Sequence, residues 1–213
     1  MRLASTVLFL CFFSAHVWAN ETKLDTVKVE TDLATIERGA GVLMNTCHSC
    51  HTLKYIKYRD LISFGMDKQK VDEWRGEESL DSPLLAQMLK DDAIASFGTA
   101  PPDLSLMVKA RDGGADYVYS YLLGYYLNAD GELGNHFYPP TKMPDILNSS
   151  TITAGAELTE IQNQARDIVS FLSWVADPHA QERIRLGYYV IAYLVVLTAL
   201  LYLLKKQIWS KLK

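Results

Sequence analysis

A mostly α fold, closed by a single C-terminal transmembrane helix, is what this 213-residue sequence predicts. Three patterns carry the prediction. Apolar residues repeat with helical spacing over 31–46 and again over 161–175. An uncharged run of 18 residues occupies 187–204. Between the two amphipathic stretches lies a Cys-x-x-Cys-His motif at 47–51. The length suits one domain with extras. At 49% hydrophobic and 22% charged, the composition excludes collagen-like and disordered classes. A formal net charge of −4 argues against nucleic-acid binding, which favours basic domains.

Taken in chain order, residues 1–19 (MRLASTVLFLCFFSAHVWA) read as a signal peptide. Arg2 precedes an apolar run too short to span a bilayer, and Val17-Trp18-Ala19 offers small residues at −3 and −1 of a cleavage site. Cleavage before Asn20 removes Cys11, and Leu10 is too large to precede a lipid-modified cysteine. The mature chain then keeps two cysteines, Cys47 and Cys50. Over 31–46, Leu33, Ile36, Ala40, Leu43 and Met44 share one helix face that delivers the chain to Cys47.

Residues 47–51 are Cys-His-Ser-Cys-His, which in an exported chain reads as covalent attachment of one haem c. Two thiols at this spacing reach the two vinyl groups, and His51 is held beside the iron. A thioredoxin-like pair would need a βαβ setting, which does not surround Cys47. A structural zinc site needs four ligands, and no second Cys pair exists. The fold expected is therefore that of a c-type cytochrome.

Segments 82–92 and 115–127 are expected to be helical. Met88 sits in LLAQMLK, spaced with Leu84, Leu85 and Leu89 as core, and Met107 sits similarly in DLSLMVKA. Tyr117, Tyr119, Tyr121, Tyr125 and Tyr126 are candidates for a haem crevice, with aromatic core as the plainer role for most. Met143 lies between Pro140 and Pro144, where fixed φ angles stiffen a loop, and it is the expected sixth ligand with His136 in reserve. His/Met ligation suits electron transfer rather than oxygen chemistry. Thr159 to Gln162 fits a capping box opening a helix whose apolar face runs from Ile161 to Val175, ending at Asp177-Pro178.

Residues 187–204 then form the membrane span, with Tyr188, Tyr189 and Trp209 at the interfaces. Lysines at 205, 206, 211 and 213, with no acid among them, place the 205–213 tail in the cytoplasm and the 20–186 haem domain in the periplasm. All 25 acidic residues lie in 20–186 against 16 basic ones, a formal −9 that would attract a basic soluble partner.

Longer segments carry a resemblance. CHSCHTLKYIKYRDL (47–61), APPDLSLMVKARDGGADYVYSYLLGY (100–125) and DIVSFLSWVADPHAQERIRLG (167–187) are similar to the cytochrome c1 family, the haem-bearing subunits of quinol–cytochrome c oxidoreductase (the cytochrome bc1 complex). The resemblance implies that Cys47 and Cys50 bind haem, that His51 is the proximal ligand and that Met143 is the distal one. It also implies that Arg111 pairs with a propionate and that Tyr117 lies near the haem. The ligand loop, NHFYPPTKMPDIL, is shorter than the family's and lacks its run of prolines after Met.

The implied role is to pass an electron from the Rieske iron–sulfur protein to a soluble cytochrome c, beside cytochrome b in a dimeric complex in a bacterial inner membrane. The chain alone would perform no bond-making chemistry. A free-standing membrane-tethered shuttle or a donor subunit of a terminal oxidase would use the same haem chemistry. A thiol–disulfide enzyme using Cys47 and Cys50 would carry no covalent haem.

Overall fold

The computed structural model describes residues 23–211, so the leader over 1–19, with Cys11 and the cleavage site, lies outside the described residues. The elements run α1 (Leu33–Val42), a π turn (Leu43–Cys47), β1 (Leu53–Lys57), α2 (Tyr58–Phe64), α3 (Lys68–Arg75) and β2 (Pro83–Leu84). They continue with α4 (Lys90–Phe97), α5 (Met107–Ala110), α6 (Gly114–Leu123), β3 (Tyr125–Leu127), β4 (Leu133–Asn135), α7 (Gly155–Ala176) and α8 (Ala180–Ser210). The fold is mostly helical, with two short antiparallel pairs, β1 with β2 and β3 with β4.

Helix α1 starts where Asp32 Oδ1 accepts the Thr35 N–H at 2.9 Å. Its apolar face, with Ile36 and Ala40 buried, packs on α7, where Ile168, Val169, Phe171 and Leu172 are buried. Gly39 permits the approach. A Cβ there would stand 1.9 Å from the Asp167 carbonyl oxygen, so only glycine fits the contact. Beside it Arg38 Nε donates to the nearly buried Asp167 carboxylate at 2.7 Å. Ahead of α1, an N-terminal strap without helix or strand, residues 23–31, is bonded to α6 and α7. Its Asp25 and Val27 N–H groups donate to Ser120 Oγ and Asp116 Oδ1 of α6, and Glu30 N–H donates to Ser170 Oγ of α7.

Three expected boundaries differ. Of segment 82–92, residues 82–89 are not helical: Leu84 pairs with Leu53, and the N–H groups of Ala86, Gln87 and Met88 go to Thr52 Oγ1 and the carbonyls of His48 and Ser49. The backbone groups a helix would use are spent on the motif loop, and Leu85 and Leu89 are exposed rather than core. The following helix, α4, begins at Lys90 with Asp91 and Asp92 in its first turn, where acids suit the helix dipole. The helix expected over 115–127 ends at Leu123, and the chain turns at Gly124 into β3. Helix α7 starts a turn early, at Gly155, so Thr159 is not a cap and its hydroxyl donates back to the Gly155 carbonyl.

Helix α8 is 31 residues long with a mean hydropathy of 2.1 in its most apolar window, and none of it is buried against the domain. At about 1.5 Å per residue it exceeds the roughly 30 Å of a hydrocarbon core. Asp177, between α7 and α8, takes Lys109 of α5 at 2.9 Å and Arg183 of α8 at 2.5 Å.

Gly39→Ala is expected to destabilise the domain by about 3 kcal/mol through overpacking against α7, read by thermal unfolding. Hydrogen bonds from Lys109 and then Arg183 hold the Asp177 carboxyl below its ordinary value of 3.8. A depressed carboxylate stabilises above its unfolded pKa and loses that contribution as pH falls through its folded pKa. Asp177→Asn should therefore lower the unfolding midpoint at pH 7, with the gap to the parent closing once pH drops below about 4.

Candidate functional site

The π turn places its extra residue just before the motif. His48 N–H reaches back to the Leu43 carbonyl at 2.9 Å, and His51 N–H to the Cys47 carbonyl at 2.8 Å. This tight coil sets Cys47, Cys50 and His51 on the wall of one cavity of about 350 Å³. Both thiols are free and half-buried. Burial, then the neighbouring Cys50, pushes the Cys47 thiol up to about 11.

Segment 100–105 docks on the strand that follows the motif. Leu104 N–H donates to the Thr52 carbonyl, Asp103 accepts the Lys54 N–H, and Ser105 Oγ accepts the Tyr55 N–H. That docking brings the Pro102 carbonyl to 2.8 Å from His51 Nδ1. A carbonyl only accepts, so Nδ1 carries the proton and Nε2 keeps its lone pair. Burial of His51, 8% exposed, pushes its imidazole pKa down and keeps it neutral. A neutral imidazole anchored through its other nitrogen is the form a metal ligand takes.

The remaining walls come from α5, α6, α7 and the loop after β4. Met143 lines the cavity, and Arg111 and Tyr117 line it as well. Burial raises the Tyr117 hydroxyl pKa, with Arg111 opposing. Tyr121 is on the same wall, one helical turn from Tyr117. Met107 also borders the cavity, a placement that its helical spacing did not reveal. His136 does not: it is exposed and stacks on the Tyr126 ring at 4.3 Å. Met44 and Met66 are core, as is Tyr125.

Two clamps that sequence reasoning missed hold the Met143 loop to α6. Asn135, 1% exposed, donates through Nδ2 to the Tyr121 carbonyl at 2.8 Å, and its Oδ1 accepts the Phe137 and Tyr138 N–H groups. Ser149 Oγ donates to the Leu122 carbonyl at 3.2 Å. An Asn ahead of a Pro-rich loop was the available signal.

Among the described residues no group of three or more His, Cys or carboxylate side chains could hold a metal ion directly. The donor set instead fits a porphyrin: apolar walls, two free thiols, one imidazole lone pair, a thioether and a cation. A helical domain of this kind, carried on a helix able to span a bilayer, defines a membrane-anchored cytochrome of the c type. Residues 23–83 and 79–212 match the Cytochrome C1 family. Cytochrome c1 of Allochromatium vinosum is 32% identical, covering 84% of this chain and 85% of its own length. Cytochrome c1 of Rhodospirillum rubrum is 31% identical, covering 85% and 83%. The ammonia monooxygenase gamma subunit of Nitrosomonas europaea is 29% identical, covering 95% and 94%. The chain belongs to the cytochrome c1 family, whose members bind haem and serve respiratory electron transfer.

Proposed function

We propose that this chain is the monohaem subunit of a cytochrome bc1 complex, receiving electrons from a Rieske iron–sulfur protein and delivering them to a soluble cytochrome c. In this reading Cys47 and Cys50 hold one haem c covalently, His51 is its proximal ligand and Met143 its distal ligand. Arg111 pairs with a propionate and Tyr117 lies beside it. The bound haem supplies a one-electron redox centre. The observation that carries the reading is His51: its proton is committed to Pro102, so its free nitrogen serves the cavity that it shares with both thiols and Met143. Apolar residues such as Leu43, Ile168 and Leu172 exclude water from that cavity, and the two candidate ligands leave no open position for a substrate.

Residues 20–186 lie in the periplasm of a bacterium, 187–204 cross the inner membrane, and 205–213 are cytoplasmic. Cytochrome b is the membrane neighbour and the complex is dimeric. The −9 of the periplasmic segment suits a basic acceptor. The Nitrosomonas relative, named for a different assembly, favours a second reading in which a similar chain donates electrons outside a bc1 complex, as a free-standing shuttle or a terminal-oxidase subunit.

Purification of the tagged chain from membranes in mild detergent decides between them. A reduced-minus-oxidised spectrum with c-type and b-type bands together supports the bc1 complex. A c-type band alone supports the shuttle, and a blank haem stain on a denaturing gel would sink both. Met143→Ala should abolish the long-wavelength sulfur-to-iron band and lower the potential. Met107→Ala, although on the same cavity, should leave both unchanged.

A further inference from the structure

Three side-chain hydroxyls and the backbone of Met143 close a ring. The Met143 N–H donates to Thr141 Oγ1 at 3.3 Å. Thr141 Oγ1 and Tyr121 Oη lie 2.6 Å apart, and Tyr121 Oη and Tyr125 Oη lie 3.0 Å apart. Tyr125 Oη is 3.2 Å from the Met143 carbonyl oxygen. The Met143 carbonyl only accepts, so Tyr125 is the donor to it. Tyr125 is also the donor to Tyr121, so its one proton is shared between Tyr121 Oη and the Met143 carbonyl, while either hydroxyl can donate across the Tyr121–Thr141 contact and Thr141 accepts the Met143 N–H. Both backbone polar groups of Met143 find a partner within the ring.

The ring is referenced to rigid parts. Tyr121 belongs to α6, with Tyr117 stacked on its ring at 6.3 Å and 20°. Tyr125 is 4% exposed on β3, paired with Asn135, and its ring meets Tyr121 edge-on at 5.7 Å. Pro140 and Pro144 fix φ at their own positions, and Pro144 biases Met143 towards extended backbone, but neither gives the Met143 N–H or C=O a hydrogen-bond partner. The ring bonds the Met143 backbone on both sides and so helps to fix its peptide planes, and through them the point from which the thioether leaves the chain.

We propose that Tyr121, Tyr125 and Thr141 are positioning residues that hold Met143 on the cavity. The proposal rests on the reading of Met143 as distal ligand. A thioether is a neutral ligand, so its occupancy of the iron depends on how well the backbone presents it. Opening the ring leaves the Met143 carbonyl or N–H without its protein partner in a half-buried setting.

The test uses the full-length haem-loaded protein in detergent, with carbon monoxide as the probe for a vacated distal position. Tyr125→Phe should keep the covalent haem stain, weaken the sulfur-to-iron band and raise the carbon-monoxide-reactive fraction about tenfold, the response to about 1.4 kcal/mol. Thr141→Val opens the ring elsewhere and should do the same, while Thr141→Ser should restore the parent spectrum. Tyr126→Phe, outside the ring, should change nothing. Should Tyr125→Phe fail to accumulate, the Thr141 pair decides alone. Met143→Leu separates the two ideas. If it leaves the band intact, the ligand reading fails and the positioning role with it. If it abolishes the band while Tyr125→Phe and Thr141→Val match the parent in band and carbon monoxide response, the ring alone is overturned.

Discussion

The contact of α1 with α7 at Gly39 is the constraint on which the rest of the molecule depends. The absence of one methyl group lets a helix backbone rest against the Asp167 carbonyl. Because α1 runs directly through the π turn into Cys47, that contact sets where the motif sits. Because α7 contributes Ile168 and Leu172 to the same cavity, it also sets the opposite boundary of the apolar space. The Arg38–Asp167 pair beside it matches a nearly buried carboxylate with a hydrogen-bonded guanidinium, so the close approach leaves no uncompensated charge.

The two groups proposed as axial ligands are held alike, through backbone atoms of irregular segments. His51 is oriented by the Pro102 carbonyl, and Met143 is clamped through its own N–H and C=O. Such segments keep their shape only if each polar backbone group finds a partner, and here docked neighbours supply them. Asp103, Ser105 and Thr52 fasten one segment, and Asn135, Ser149 and Thr141 the other. Helices form the frame, and the turns between them carry the chemistry.

What was legible in the sequence follows the same division. The helices α1, α7 and α8 announce themselves by period and hydropathy, and Cys47, Cys50, His51, Arg111, Tyr117 and Met143 do gather on one cavity. The leucines near Met88 share helical spacing by coincidence, because their segment is committed to backbone bonds with a loop more than thirty residues earlier in sequence. No local pattern encodes that pairing. The same holds for His136, which stacks on a tyrosine across a hairpin, and for the hydroxyl ring, whose members come from a helix, a strand and a loop. Sequence-distant hydrogen bonds are invisible to a reading by period.

The N-terminal strap bears on the order in which the chain can fold. Its hydrogen bonds reach 95 residues ahead to Ser120 and 140 ahead to Ser170, and α1 likewise waits for α7. Contacts of such separation form late, since the chain between must first be delivered and the loop closed. As the chain is made from its N-terminus, Cys47 and Cys50 therefore emerge well before the elements that bury them. If Cys47 and Cys50 take the covalent cofactor proposed above, its attachment would have its opportunity while the domain is still open, and closure of the strap would mark the end of that interval.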